Sequence, residues 1–312
     1  MDKKTLDEVV ECLEQEKTRF DYFKDGYAIR LLSYVAGKGK KIADIKQTPY
    51  ARLLDKPLVK PLLAQAGDGI LSADLLALAY LETPYTFLLT LASWGGDNRR
   101  WQQTSRNGYN LVLQLNFSNQ HAVLYQHLVK PTRNVAFNYY SHPSMHTAKN
   151  GFFRETLAWA RIDFDFATNE ALIEEIQCDW IKRAQDTLDH ILWSEEKAGR
   201  IRPTNIKGST EALQTYMKTV LKPYIQLWDE AVLMAAITYI REELGIKTIF
   251  YHDYMTGSQL KNCEPPRSLY TTLPRRFCFQ LTEDAPQFLQ QDKPFQKAIR
   301  KVKTPHWFVL SF

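Results

Sequence analysis

The chain of 312 residues is 45% hydrophobic and 12% aromatic, which allows a sizeable core and excludes collagen-like, low-complexity and disordered sequences. Its 40 basic and 35 acidic residues give a formal charge of +5, so an anionic partner is permitted but not required. The four cysteines form no CxxC pair, the N-terminus lacks the apolar core of a signal peptide, and no apolar run is long enough for a membrane span. We therefore expect free thiols, no membrane partner and a cytoplasmic location.

Residues 1–98 predict an N-terminal helical region. Apolar residues recur at helical spacing over 4–36, which predicts helix through this stretch. Prolines divide residues 42–66 into short helices, and Ser72 is suited to cap the helix that follows. The Gly95-Gly96 pair lies at the expected end of this region.

Beyond that boundary, strand patterns predict a mixed α/β domain over 99–312. Helices are expected over 182–197 and over 209–243, the latter with a break near Pro223. Besides a hairpin within 156–178, strands are expected at 110–117, 122–128, 247–252, 277–281 and 306–312. Because helices separate the strand at 171–178 from the strand at 247–252, a crossover should join them and they should lie parallel. The expected fold class is thus α/β (α+β), with a mixed, partly parallel central sheet and flanking helices.

Residues 156–180 contain the strongest candidate for a functional site. Two alternating strands joined by a polar turn at 167–170 predict a β-hairpin. Its second strand carries Glu174 and Glu175, which we expect to act as acid/base groups, since neighbouring carboxylates push each other's pKa values apart. The side chains expected to bind substrate around them are Trp159, Arg161, Asp163, Gln177, Asp179 and Trp180.

Two interpretations of the hairpin remain open from the sequence. The pairing register decides whether Glu174 or Glu175 shares a face with Asp163, because a slip of one residue exchanges the two faces. The carboxylates could instead form a solvated face, on which an arginine–aspartate pair adds little stability. Trp159 and Trp180 favour a pocket, because large aromatic side chains are seldom left on an exposed face.

The strand predicted at 247–252 ends in a second candidate group. Ligands gather at the carboxyl ends of parallel strands, so His252 could act as a general base, and Asp253 could orient it or contact substrate. The alternative is a partly buried histidine with a structural hydrogen bond. The small residues Thr256, Gly257 and Ser258 are expected in a loop whose backbone N–H groups hold an anionic part of a cofactor.

Several other motifs are excluded by their spacing. His142 and His146 lie four residues apart across Pro143, which removes the single helical face that this spacing would otherwise give a metal ion, and we expect no metal site. The GKGKK run at 37–41 lacks the spacing of a phosphate loop. Serine-hydrolase, zincin and Rossmann motifs do not occur.

Residues 172–180 (LIEEIQCDW), with the helix over 228–244 and the strand at 247–252, resemble a domain of large polyvalent proteins of phages and mobile elements. That domain carries an E-E-I-Q-S-D-W strand, then a helix, a glycine and a strand ending near T-G. Here Cys178 stands in place of the serine, and Thr256-Gly257 lie near the corresponding position. The resemblance covers about a third of the chain and implies no particular reaction.

The order strand, long helix, strand is also similar to the core of the GNAT acetyltransferases, in which a segment of the type L-Y-x-x-x-G-F follows. Residues 269–279 look like that segment, which would put Tyr270 at the position of the family's general acid. This similarity implies acyl transfer with acyl-CoA as the cofactor. The chain departs from the family after Gln177, where Cys178 and Asp179 replace the glycine-containing pyrophosphate loop.

The sequence therefore supports two hypotheses about function. The first is a GNAT-like group-transfer enzyme or a degenerate relative, acting on a small-molecule or protein substrate. The alternative is a non-catalytic or nucleic-acid-associated accessory protein of a mobile element or defence locus. Nucleic acid would then face a basic patch formed by Arg200, Arg202, Lys207, Arg275 and Arg276. The oligomeric state is left open.

Overall fold

The computed structural model of the protein describes residues 1–12, 19–81, 84–96, 103–132, 137, 155–198 and 205–312. Within these residues a large mixed sheet is flanked by helices, which confirms the expected α/β class with its N-terminal helical region. No helix of the described part combines the length and the apolar character needed to cross a membrane.

The strands in chain order are β1 (Arg19–Tyr22), β2 (Lys40–Lys41), β3 (Ile70–Leu71), β4 (Tyr85–Gly95), β5 (Tyr109–Asn116), β6 (Thr156–Asp165), β7 (Glu170–Gln177), β8 (Thr248–His252), β9 (Gln280–Thr282) and β10 (Trp307–Ser311). Eight of these described strands form one sheet in the order β1-β4-β5-β6-β7-β8-β10-β9, and β2 and β3 form a separate ribbon. All neighbours in the sheet are antiparallel except β7 and β8, which are parallel as expected.

The helices are α1 (Lys3–Glu11), α2 (Gly26–Ala36), α3 (Ile42–Ile45), α4 (Lys60–Gln65), α5 (Ala73–Ala77), α6 (Asn119–Leu128), α7 (Asp179–Ala198), α8 (Thr210–Thr215), α9 (Lys222–Thr238), α10 (Tyr254–Lys261), α11 (Thr272–Arg276), α12 (Gln287–Gln290) and α13 (Lys293–Ile299). A π-helical turn, Tyr216–Leu221, joins α8 to α9, and a second one, Tyr239–Glu243, follows α9. Helix α9 packs against β5, β6 and β7 and against α2, so it is buried on most sides.

The N-terminal region contains strands that its prediction did not include. Helix was expected throughout residues 4–36, but Arg19–Tyr22 form strand β1 between α1 and α2. Phe20 and Tyr22 alternate with polar residues, and this period of two places both rings in the core. Since β1 and β4 belong to the central sheet, the helical region expected over 1–98 also supplies two strands to it.

Two predicted strands are corrected by the structure. Residues 122–128 lie in helix α6, because the Ser118 hydroxyl caps its first turn by accepting from the His121 N–H. His121 and Tyr125, one turn apart, then face the core. The strand expected at 277–281 is confined to β9, since Cys278 adopts a positive φ of 65° that interrupts an extended conformation.

The hairpin expected within 156–178 is confirmed as β6 and β7. Its register shifts once: Arg161 pairs with Glu175 and Ile162 pairs with Ile173, so Glu174 is the extra residue of a β-bulge. On its other side, β7 pairs with β8 only as far as Ile173. Residues 174–177, the last four of β7, therefore have no pairing strand on the side that faces β8.

Candidate functional site

The bulge in β7 determines where the Glu174 side chain lies. Bulges re-aim a side chain, and here the carboxylate is fully buried. Ser105, in the loop before β5, contacts both carboxylate oxygens. Its backbone N–H donates to Glu174 Oε1 at 2.8 Å, and its hydroxyl donates to Oε2 at 3.0 Å. The chain thus holds this carboxylate in one orientation.

Two further buried side chains complete a group that we call the Glu174 cluster: Ser105, Glu174, His252 and Lys261. His252, at the end of β8, places Nε2 3.0 Å from Glu174 Oε2 and 2.9 Å from the Ser105 hydroxyl. Lys261, at the end of α10, places Nζ 3.8 Å from Glu174 Oε2 and donates to the backbone carbonyl of Glu174. The Glu174 carbonyl, at the bulge, thus accepts a hydrogen bond from a side chain and not from the backbone of a neighbouring strand.

The Glu174 cluster holds a carboxylate beside an ammonium group. Burial alone would raise the pKa of Glu174, but the hydrogen bond from His252 and nearby positive charges, that of Lys261 among them, outweigh it and lower the pKa. Burial lowers the pKa of Lys261, and the charge of Glu174 opposes this effect. Burial and the charge of Lys261 both lower the pKa of His252, which is therefore uncharged near neutral pH.

This arrangement is not the relay of a serine hydrolase. In such a relay one ring nitrogen contacts the serine and the other contacts the acid. Here Nε2 of His252 contacts both Ser105 and Glu174, and its Nδ1 has no hydrogen-bond partner among the described residues. The Glu174 cluster is better suited to hold the bulge and the end of β8 together.

Glu175, the next residue, points in a different direction. Its Oε2 accepts a hydrogen bond from Arg161 Nη2 at 2.7 Å, and its side chain is 17% exposed. Arg161 is fully buried, lies 4.9 Å from the centre of the Trp94 ring and also donates to the Gln103 carbonyl at 2.6 Å. The Trp159 ring stacks on the Trp94 ring, with 6.1 Å between the ring centres. Aromatic packing thus fixes the cation that holds Glu175.

A pocket of about 660 Å³ opens beside Glu175, and we call it the β7 pocket. Its lining includes the last residues of β7, the first turn of α7 and residues 263–266 after α10. Gln177 and Asp179 also line it, and the Gln177 amide donates to the Asp179 carboxylate. The Trp159 indole donates to the same carboxylate at 3.3 Å. The pocket is therefore lined both by charged and polar groups and by aromatic rings and prolines.

Tyr270 lies beside the last residues of β7, where β8 no longer pairs with that strand. Its ring is buried, and the backbone N–H of Ile176 lies near its hydroxyl, where it acts to lower the pKa of the phenol. Burial, and then the charge of Glu175, raise the pKa of Tyr270 well above its ordinary value. The phenol therefore keeps its proton near neutral pH.

Asp163 does not join Glu174 and Glu175. It is fully buried, and its carboxylate accepts hydrogen bonds from Arg106 Nε at 2.7 Å and from the N-terminal ammonium of Met1 at 3.2 Å. These contacts lie beside a separate polar hollow lined by Arg106 and Asp165. Since Asp163 and Glu174 are both buried, the hairpin does not present them on a solvated face.

The remaining predicted site residues have structural contacts of their own. Trp180 sits among aromatic rings, and its Nε1–H donates to the Tyr216 hydroxyl at 2.8 Å. Thr256, Gly257 and Ser258 were expected in a loop but lie in helix α10. That helix forms because the Asp253 side chain caps it by accepting from a first-turn N–H.

The basic patch expected for a nucleic-acid partner is described only in part. Arg200 and Arg202 lie outside the described residues, as do His142 and His146. Lys207 is exposed and Arg275 lies 5.9 Å from the ring centre of Phe308. Arg276 donates to Glu230 at 2.6 Å and lies 3.7 Å from Asp229, so its charge is largely neutralised within the chain.

Ser105 and Lys261 were not predicted as site residues from the sequence. Ser105 stands in a loop, 69 residues before Glu174, and Lys261 follows Glu174 by 87 residues on a short helix. Neither has a neighbour in sequence that marks it. Their roles become visible only when the sheet brings the ends of β7 and β8 together.

Comparison with known proteins gives no relative: no family model, no curated protein and no solved structure matches this chain. Across the described residues, no group of three or more histidine, cysteine, aspartate or glutamate side chains is arranged to hold a metal ion. Function must therefore be argued from the β7 pocket and the residues around it.

Proposed function

We propose that the chain is a GNAT-like group-transfer enzyme, an acyltransferase or a degenerate relative, with its reaction centre in the β7 pocket. The observation that carries the proposal is the end of β7–β8 pairing at Ile173 and Tyr251, on the side where the β7 pocket opens. Ligands bind beyond the carboxyl ends of parallel strands, where the two chains lead away from each other.

An extended ligand with amide groups suits such an opening, since it can pair with a free strand edge as another strand would. The pantetheine arm of an acyl-CoA has this chemistry. Part of the edge is already occupied, because Lys261 donates to the Glu174 carbonyl and Tyr270 lies beside Ile176. The arm would therefore pair beyond these groups, along Gln177, which lines the pocket.

Glu175 and Tyr270 would carry the two proton transfers. As the nitrogen of an acceptor amine attacks the thioester carbon, Glu175 would accept the proton of that nitrogen. The bond between the carbon and sulfur then breaks, and the Tyr270 phenol would donate its proton to the leaving thiolate. A carbon–nitrogen bond has replaced a carbon–sulfur bond, and exchange with solvent moves one proton from Glu175 back to Tyr270.

The other expected acid/base residues would have a supporting role. Like Tyr270, Glu174 and His252 are buried and do not line the β7 pocket, but they are hydrogen-bonded to each other at 3.0 Å and so are engaged within the Glu174 cluster. Together with Lys261 they would hold the bulge that turns Glu175 towards the pocket. The acceptor could be the amine of a small molecule or of a protein.

Thermal unfolding with acetyl-CoA tests the proposal. A ligand at 100 times its Kd stabilises the folded state by about 2.7 kcal/mol, so a clear rise in Tm is expected. ADP, which has a pyrophosphate but no pantetheine arm, should give a much smaller rise. No shift with millimolar acetyl-CoA, together with no bound acyl-CoA in a native mass spectrum of the purified protein, would contradict the proposal.

A further inference from the structure

A second pocket, of about 930 Å³, lies where helix α6 begins, beside the start of β4 and the junction of α8 and α9. We call it the α6 pocket. It shares no lining residue with the β7 pocket. Tyr85 and Tyr224, in edge-to-face contact at 5.3 Å, form one wall, and Leu124 forms part of another. Among the described residues that line it, none is aspartate, glutamate, lysine or arginine.

His121 is held in one orientation at the wall of this pocket. Its ring stacks on Phe117 with 3.5 Å between ring centres, and its Nε2 lies 3.1 Å from the Tyr216 hydroxyl. That hydroxyl already accepts a hydrogen bond from Trp180 Nε1 at 2.8 Å. Directing the Tyr216 hydroxyl hydrogen to His121 Nε2 gives that hydrogen an acceptor, and we therefore assign Nε2 as the unprotonated nitrogen of the ring.

The hydrogen of the imidazole then lies on Nδ1. Burial lowers the pKa of His121 to about 3, so the ring is uncharged and carries only one N–H. His121 is 2% exposed, and its Nδ1 has no hydrogen-bond partner among the described residues. An unsatisfied buried donor destabilises the fold, and a ligand with an acceptor oxygen would remove that cost.

The start of α6 adds donors beside His121. The helix has ten residues, and the Ser118 side chain accepts from the His121 backbone N–H. Asn119 and Gln120 both line the pocket, and first-turn N–H groups have no acceptor within the helix. The positive end of the helix dipole also lies here, so negative charge is favoured. His121 and the first turn of α6 both line the α6 pocket, so two independent features favour an acceptor group in it.

We propose that the α6 pocket binds a small carboxylate with an apolar or aromatic body. The carboxylate accepts from His121 Nδ1–H and from the N–H groups of the first turn of α6. The body packs on Tyr85, Tyr224 and Leu124. Uncharged donors suit a monoanion, whereas a phosphate ester is usually bound by lysine or arginine, which the described lining residues lack. This binding is independent of the reaction proposed for the β7 pocket.

Titration calorimetry with phenylacetate and with its uncharged analogue phenylacetamide tests this assignment. Phenylacetate should bind saturably and more tightly than the amide. His121→Phe keeps an aromatic ring but removes the donor, so affinity should fall by about tenfold or more, as expected for one hydrogen bond to a charged group. Leu124→Glu places a negative charge in the pocket and should reduce binding of phenylacetate to a similar degree.

Val123→Glu is the matched control, because Val123 is more exposed than Leu124 (69% against 41%) and does not line the pocket. It should bind phenylacetate as the parent chain does. Leu124 is on the surface, so Leu124→Glu is expected to fold. The comparison of Leu124→Glu with Val123→Glu therefore remains valid even if His121→Phe does not fold. Absence of saturable phenylacetate binding, or equal affinity in Leu124→Glu and Val123→Glu, would overturn the proposal.

Discussion

At the scale of single residues, Glu174 is the buried charge on which the centre of the molecule depends. Glu174→Gln would leave the Lys261 ammonium buried without a counter-charge, and breaking a buried pair in this way costs about 3–5 kcal/mol. We expect the free energy of unfolding, measured by urea denaturation, to fall by that amount.

Glu196→Gln provides the comparison, since Glu196 is exposed on α7. Its free energy of unfolding should change by less than about 0.5 kcal/mol. Equal stabilities for the two variants would mean that the Glu174 cluster does not hold the fold together.

The free energy of unfolding should also depend on pH through His121. His121 has a pKa of about 3 in the folded chain and an ordinary value of 6.5 when unfolded, so the unfolded chain binds the proton first as pH falls. Its contribution to stability is therefore complete above pH 6.5 and is lost towards pH 3, by up to about 1.4 kcal/mol per pH unit. Relative to the parent chain, His121→Phe should lose less stability over this range in urea unfolding measured at each pH. Identical pH profiles would contradict a buried, uncharged His121.

Residue chemistry could be predicted from the sequence only in part. Arg161 was identifiable because Trp159, Arg161 and Asp163 alternate with apolar residues along one strand, and the pair Glu174 and Glu175 was identifiable on the second strand of the same hairpin. The choice between Glu174 and Glu175 was not, because a β-bulge leaves no signal in residue types and yet exchanges the two faces. Ser105 and Lys261 were not identifiable because their partner is distant along the chain.

At the scale of elements, α10 lies close against the end of β8. A Cβ on Gly257 would come within 3.1 Å of the His252 Cβ, and His252 is buried and hydrogen-bonded, so it cannot move aside. Gly257→Ala should therefore lower the free energy of unfolding by about 1–3 kcal/mol, as overpacking does.

Gly67→Ala is the corresponding control. A Cβ there meets nothing within 4 Å, and the position has no positive φ. Replacement should leave stability unchanged or raise it by up to about 1 kcal/mol, because alanine restricts the unfolded chain. If Gly257→Ala proved as stable as Gly67→Ala in urea unfolding, the packing of α10 on His252 would be looser than described.

Most elements with a clear period were predicted, but β4 was not, although Phe87, Leu89 and Leu91 alternate along it. Strands β5 to β8 and β10 follow from alternation or from short apolar runs. Strand β1 has only four residues and lies between two helices, so the apolar pattern over 4–36 predicted a helix there. In α6, the apolar run within 122–128 suits either a strand or a helix, and the cap at Ser118 decides for the helix.

At the scale of the whole molecule, one parallel strand pair organises the sheet. The crossover that contains α7, α8 and α9 makes β7 and β8 parallel, and their carboxyl ends converge on Tyr270, the Glu174 cluster and the β7 pocket. The parallel pair could be predicted from the order strand, helix, strand. The position of the pocket could not, because it depends on where the pairing of β7 and β8 stops.

The central claim is that the β7 pocket binds an acyl-CoA. Titration calorimetry with acetyl-CoA, on the parent chain, Cys263→Trp and Cys12→Trp, tests it most directly. Cys263 lines the pocket, so its replacement projects an indole into the binding space, whereas Cys12 is exposed elsewhere. We predict saturable binding to the parent chain and to Cys12→Trp, and loss of binding in Cys263→Trp. No binding to the parent chain, or equal binding to both variants, would contradict the claim.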